Sequence, residues 1–119
     1  VFRNATVGAW NIYASDDAVV RLRKSTIGEA MTFGKGRIEL EDSTVDGKGG
    51  YVGAHDDSVI RLVRCKITCL VVARTCSRIE LVECDVTGDV RAVEAGHVKL
   101  TGTSVSGKTQ ADDGGVIER

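Results

Sequence analysis

RIELED at 37–42 and RIELVE at 78–83 are almost the same six residues, and VIRLVR at 59–64 repeats their apolar frame with the charges reversed. A chain that writes one frame several times is built from repeats, and the period has to be found before any other feature is read. Anchoring on the aliphatic residue of each copy gives Val20, Ile38, Ile60, Ile79 and Val98, spaced by 18, 22, 19 and 19 residues. Two residues after each anchor stands Leu22, Leu40, Leu62, Leu81 or Leu100. Five after it stands Ser25, Ser43, Cys65, Cys84 or Thr103, and seven after it Ile27, Val45, Ile67, Val86 or Val105. Upstream, Ile12, Ala30, Val52, Val71 and Val90 precede the anchors by eight residues, and Ala14, Thr32, Ala54, Ala73 and Ala92 by six. Phe2, Ala5 and Val7 fit the second half of an earlier copy.

The even spacing within each copy predicts three short strands with alternate side chains facing inward. Small residues mark the corners: Ala18, Gly36, Ser58, Ser77 and Gly96 before the second strand, and Gly47, Cys69, Gly88 and Gly107 after the third. A sharp bend or left-handed backbone at these corners suits glycine. The longest copy gains its length at 48–50, read as a surface loop. Stacked coils of about 19 residues make an all-β parallel solenoid of about five to six coils. The charges then have a reason. One residue after the anchors stand Arg21, Glu39, Arg61, Glu80 and Lys99, and four after them Lys24, Asp42, Arg64, Glu83 and Gly102. Stacked in register roughly 4.8 Å apart, like charges would repel and alternating ones attract.

Composition agrees. The chain has 119 residues, 14 Gly, no Pro, and apolar residues dominated by Val and Ile, so one strand-rich domain is expected over 1–119, with repeats over 1–107 and a tail or cap over 108–119. Sixteen basic residues against seventeen acidic give a formal charge of −1, which favours no nucleic acid or acidic membrane as a default partner. No apolar run reaches the roughly 18 residues of a membrane span. The opening VFRNATVG lacks the pattern of a signal peptide, and without an initiating Met the chain reads as trimmed or excised from something longer, so the compartment stays open, with the cell surface or exterior favoured.

The frame V/I-x-L followed by S/C-x-V/I and Gly resembles the right-handed parallel β-helix repeats of the pectin-lyase-like superfamily, and the resemblance covers residues 1–107. It implies a scaffold shared by polysaccharide lyases and hydrolases, phage tailspikes, adhesins and non-enzymatic interaction domains, and it assigns no activity. No catalytic motif of that superfamily matches residue by residue.

Candidate sites follow from position. Asp16 and Asp56 occupy the same turn two copies apart, and with Arg74 they could imitate the carboxylate and base arrangement of β-helix lyases and hydrolases; Asp as a turn residue explains them more simply. The outward positions of the first strand carry Tyr13, Met31, Tyr51, Leu70 and Val72 in one strip beside Trp10, where a solvated face would be polar, so these six residues are the candidate binding surface. Cys65 and Cys84 share one internal row. A disulfide between them is open in principle, but buried free thiols are favoured for Cys65, Cys69, Cys76 and Cys84, whose spacing matches no structural zinc site. No cofactor or metal is expected. The ends of a solenoid expose unpaired backbone, so a second subunit or adjacent domain is expected to cover them, and a polysaccharide is a candidate ligand. The preferred function is a non-catalytic structural or interaction module of a fibre, adhesin or surface protein. The alternative is an enzyme, or the remnant of one, acting on an acidic polysaccharide.

Overall fold

A computed structural model, which describes residues 11–46 and 51–119, stacks the repeated apolar positions directly over one another. The described residues form strands and no helix, in three parallel sheets. The first sheet contains β1 (Asn11–Ala14), β4 (Glu29–Thr32), β7 (Val52–Ala54), β10 (Val71–Ala73), β13 (Val90–Ala92) and β16 (Thr109–Ala111). The second contains β2 (Val19–Arg23), β5 (Arg37–Glu41), β8 (Val59–Val63), β11 (Arg78–Val82), β14 (His97–Thr101) and β17 (Val116–Glu118). The third contains β3 (Thr26–Ile27), β6 (Thr44–Val45), β9 (Lys66–Ile67), β12 (Asp85–Val86) and β15 (Ser104–Val105). One strand from each sheet makes a rung, and the chain climbs one rung per repeat as a β-solenoid. The segment 108–119, read from the sequence as a tail or cap, supplies β16 and β17 and carries the register on to Glu118.

Register follows the anchors. Val20 pairs with Ile38, Ile38 with Ile60, Ile60 with Ile79 and Ile79 with Val98, and the leucines two residues on pair in the same order. These side chains and their counterparts in the other two sheets fill one continuous core, in which Ile38, Ile60, Leu62, Val45 and Ile67 are fully buried. Removing that much apolar surface from water is the main stabilising term, roughly 25 cal/mol per Å². The last rung has nothing above it among the described residues, and Val116 there is 48% exposed.

Two corners per rung turn the chain through left-handed backbone. Asp16, Gly34, Asp56, Thr75, Glu94 and Asp113 hold the corner between the first and second sheets, all at positive φ. Lys24, Asp42, Arg64, Glu83 and Gly102 hold the corner after the second sheet, with φ between 50° and 56°. The glycines that the sequence suggested for left-handed corners do something else. Gly88 and Gly107 do not have positive φ. A side chain on Gly88 would meet the Cys69 carbonyl of the rung below at 2.3 Å, so close backbone approach selects glycine there.

The residue after the second corner explains the internal Ser/Cys/Thr row. Ser25 Oγ donates to the Arg23 carbonyl at 3.0 Å, Ser43 Oγ to Glu41 at 2.9 Å, Cys65 Sγ to Val63 at 3.3 Å, Cys84 Sγ to Val82 at 3.4 Å and Thr103 Oγ1 to Thr101 at 3.2 Å. A small side chain with a polar hydrogen therefore faces the core without an unmet donor.

The charge ladder stands as one column. Arg21 pairs in register with Glu39, Glu39 with Arg61, Arg61 with Glu80, Glu80 with Lys99, and Lys99 with Glu118. Glu118 is a sixth member that the sequence reading left out. Arg21 and Glu39 approach to 3.5 Å and Arg61 and Glu80 to 3.0 Å. At the neighbouring corner Arg64 reaches Asp42 and Glu41, each at 2.8 Å, and the Arg64 guanidinium holds the Asp42 carboxyl below the usual carboxylate range. Exposed pairs of this kind contribute about 0.2–1 kcal/mol each, enough to fix register but not to hold the fold.

A left-handed corner costs an L-residue about 1–2 kcal/mol, and Gly102 shows that glycine fits the corner where Glu83 now stands. After the extra unfolded-state entropy of glycine is subtracted, Glu83→Gly is expected to stabilise the chain by about 0.5–1 kcal/mol. Thermal unfolding checks this: an unchanged or lowered Tm would show that the corner is not strained.

Candidate functional site

Outward side chains of the first sheet lie in three columns, because alternation continues one residue past each strand. The central column runs Tyr13, Met31, Gly53, Val72, Arg91, Gln110. On one side stand Asn11, Glu29, Tyr51, Leu70, Asp89 and Lys108, linked by backbone bonds such as Ala30 to Tyr51 and Val52 to Leu70. On the other stand Ser15, Phe33, His55, Arg74, Val93 and Asp112, linked from Phe33 to Ala14 through Asp112 to Ala92. Tyr13, Met31, Tyr51, Leu70 and Val72 therefore do share one face, as the strip required. Trp10 lies outside the described residues.

That face is more closely packed than the strip implied. Tyr13 is 55% exposed, Met31, Tyr51 and Leu70 are half-buried, and Val72 is only 1% exposed. Val72 stands in the outward central column, but its neighbours cover it almost completely, so it presents little free contact area. Gly53 is the reason the middle of the face closes. A side chain there would stand 2.5 Å from Tyr51 Cε2 and 3.5 Å from His55 Cε1, so the two rings lean over a position without a side chain. His55 also stacks on Phe33, with ring centroids 4.8 Å apart and planes 18° from parallel. Phe33, His55 and Val93 were missed by the sequence reading, which stopped its alternation at the strand ends; extending period two by one residue finds all three.

Polar groups frame the aromatic centre. Glu29 is 6% exposed, and its Oε1 accepts from the Tyr13 hydroxyl. This bond and the nearby carboxylate raise the Tyr13 phenol above its ordinary range. His55 Nδ1, Arg74 Nε and Arg91 Nε are buried on this face without a hydrogen-bond partner among the described residues, while the Arg91 guanidinium approaches Asp112 at 3.8 Å. Aromatic planes beside guanidinium groups can stack and donate at once, the chemistry that recognises proteins and sugars alike.

The alternative catalytic set is divided between two features. Asp16 and Asp56 sit in the left-handed turns of the first and third rungs, at φ 55° and 61°. Asp56 Oδ2 accepts from the Gly34 amide at 3.0 Å, which is turn chemistry. The turns of Asp16 and Asp56 lie two rungs, about 10 Å of backbone, apart. Arg74 belongs to the aromatic face, one position away from the turn column. All four cysteines are free; Cys65, Cys69 and Cys84 are buried as expected, whereas Cys76 is exposed at a turn. Burial pushes the Cys69 thiol up to about 11, and a hydrogen bond with Cys84 together with burial pushes Cys65 up as well, so neither is a poised nucleophile. Among the described residues no cluster of three or more His, Cys, Asp or Glu side chains is placed to hold a metal ion, and no helix is long and apolar enough to cross a membrane.

Compared with known proteins, the chain matches no family model, no curated sequence and no solved structure.

The pairing of Tyr13 with Glu29 is open to titration. The Tyr13 phenol is expected to ionise above the ordinary tyrosine range, and Glu29→Gln to bring it back down. An NMR or ultraviolet titration that finds Tyr13 unmoved by the substitution would show that the bond does not form in solution.

Proposed function

We propose that the chain is a non-catalytic β-solenoid interaction module, part of a larger or oligomeric fibre, adhesin or surface protein, that contacts a protein or carbohydrate through the outer face of its first sheet. The observation that carries this reading is the concentration of Tyr13, Met31, Phe33, Tyr51, His55 and Leu70 on one outward face, while the outward column of the second sheet is charged at every rung. Apolar groups held on a rigid sheet cost water contacts without adding to the core, which makes them contact area. Affinity with the pectin-lyase-like superfamily belongs to the same proposal and rests on the repeat frame; within it the solenoid acts as scaffold and the face supplies recognition. An enzyme acting on an acidic polysaccharide has less in its favour, because Asp16 and Asp56 are engaged as turn residues and Arg74 faces the aromatic cluster.

Tyr13→Ser combined with Tyr51→Ser tests the face without touching the core. Circular dichroism and thermal unfolding should change little, while binding in an oligosaccharide array and in quantitative protein capture should fall by tenfold or more relative to the parent chain. If every ligand retained by the parent is retained equally by the variant, the face is not the recognition surface.

A further inference from the structure

The second sheet presents a surface of a different kind. Among the described residues its central outward column reads Arg21, Glu39, Arg61, Glu80, Lys99, Glu118, six charges of strictly alternating sign. An even-numbered alternating string has a symmetry that the internal ion pairs do not need. Turned end for end and laid on itself, it places every cation on an anion; laid on itself in parallel register, it places like on like throughout.

We propose that two copies of the chain associate face to face through their second sheets, antiparallel, about a two-fold axis that passes between Arg61 and Glu80. Arg61 of each copy then meets Glu80 of the other, Glu39 meets Lys99, and Arg21 meets Glu118. The flanking columns add two apolar contacts. Val19 and Val116, 36% and 48% exposed, are two of the exposed large hydrophobic residues, and the two-fold brings each onto the other. Val63 likewise meets Val82, while Arg37 faces His97 and Val59 faces Arg78. Two shallow grooves lie on this sheet, one of about 230 Å³ lined by Arg21, Arg23, Glu39, Glu41, Arg61 and Val63, the other of about 240 Å³ lined by Arg78, Glu80, His97, Lys99 and Glu118. They occupy opposite halves of the face and opposite sides of the central column, the first toward Arg23 and Val63 and the second toward Arg78 and His97, so the two-fold does not lay one on the other and the contact rests on the charged column and the valines. A parallel pair could avoid like charges only by slipping one rung, which leaves a rung unmatched at each end. An isologous contact of this kind closes on itself as a dimer.

Magnitudes set the strength. Six strands spaced ~4.8 Å apart and up to five residues long make a face of roughly 450 Å² per copy. The two together bury about 900 Å², below the standard interface range, and charged pairs contribute more to orientation than to affinity. The dimer is therefore weak, half-formed on the order of 10–100 µM, and salt-sensitive.

Sedimentation velocity across that concentration range tests the proposal. At low salt the parent chain should pass from monomer to dimer, and 1 M NaCl should weaken the dimer by tenfold or more. Arg61→Glu alone and Glu80→Arg alone should each weaken association about tenfold, because each places like charges on both symmetry-related contacts. An equimolar mixture of the two variants should recover it, since each cation again meets an anion. Val116→Lys, at an exposed position whose change leaves the core intact, should also weaken association if either charge variant fails to fold. Carbodiimide treatment should join Lys99 of one copy to Glu39 of the other with loss of water, a link that three rungs of separation forbid within one chain. A monomer throughout the range at low salt, a mixture no better than its parts, or Lys99 coupled only to Glu80 and Glu118 would each overturn the two-fold arrangement.

Discussion

Parallel backbone pairing from rung to rung is the constraint on which the rest of the molecule depends. Once Ile38 lies on Val20 and Ile60 on Ile38, every other residue of a repeat lies on its counterpart too, inside or outside. Chemistry at one position is therefore repeated as a column about 4.8 Å in pitch. Inside, this rewards identical side chains, because equal leucines and isoleucines nest on one another without voids. Outside, it penalises identical charges, because the like neighbours are always close. The core is monotonous and the charged face alternates for one and the same reason.

The apolar frame was legible in the sequence because period two within strands and about nineteen between them are both visible in residue type alone. The charge column was legible for the same reason, up to Lys99. Its sixth member, Glu118, was overlooked because VIER at 116–119 departs from the V/I-x-L frame, with Ile117 as the anchor and Arg119 where the other copies have Leu. The corners were not legible. Left-handed backbone is usually signalled by Gly, Asn or Asp, and here Lys24, Arg64, Thr75 and Glu83 adopt it because pairing above and below leaves no alternative path. Nor could sequence show that Val72 is covered. It lies in register beside Gly53, where the rings of Tyr51 and His55 lean over a position without a side chain, a packing relation between two rungs.

The two broad outer faces differ in chemistry. The first sheet combines rings, a buried carboxylate and guanidinium nitrogens without local partners, an arrangement that gains when a ligand or protein excludes water from it. The second carries ion pairs along its column, between Arg21 and Glu39 and between Arg61 and Glu80, so charge rather than apolar area is what it presents. A rigid solenoid holds the two at fixed angles, so that contacts on one need not disturb the other.

Alternation of sign also governs how such a chain can lengthen. Duplicating a single rung would set Arg beside Arg or Glu beside Glu in the outer column and again at the Asp42–Arg64 corner, whereas copying an adjacent pair preserves every attraction. Electrostatically the hereditary unit of this solenoid is two coils, about 38 residues and roughly 10 Å of height, even though its backbone repeats with one.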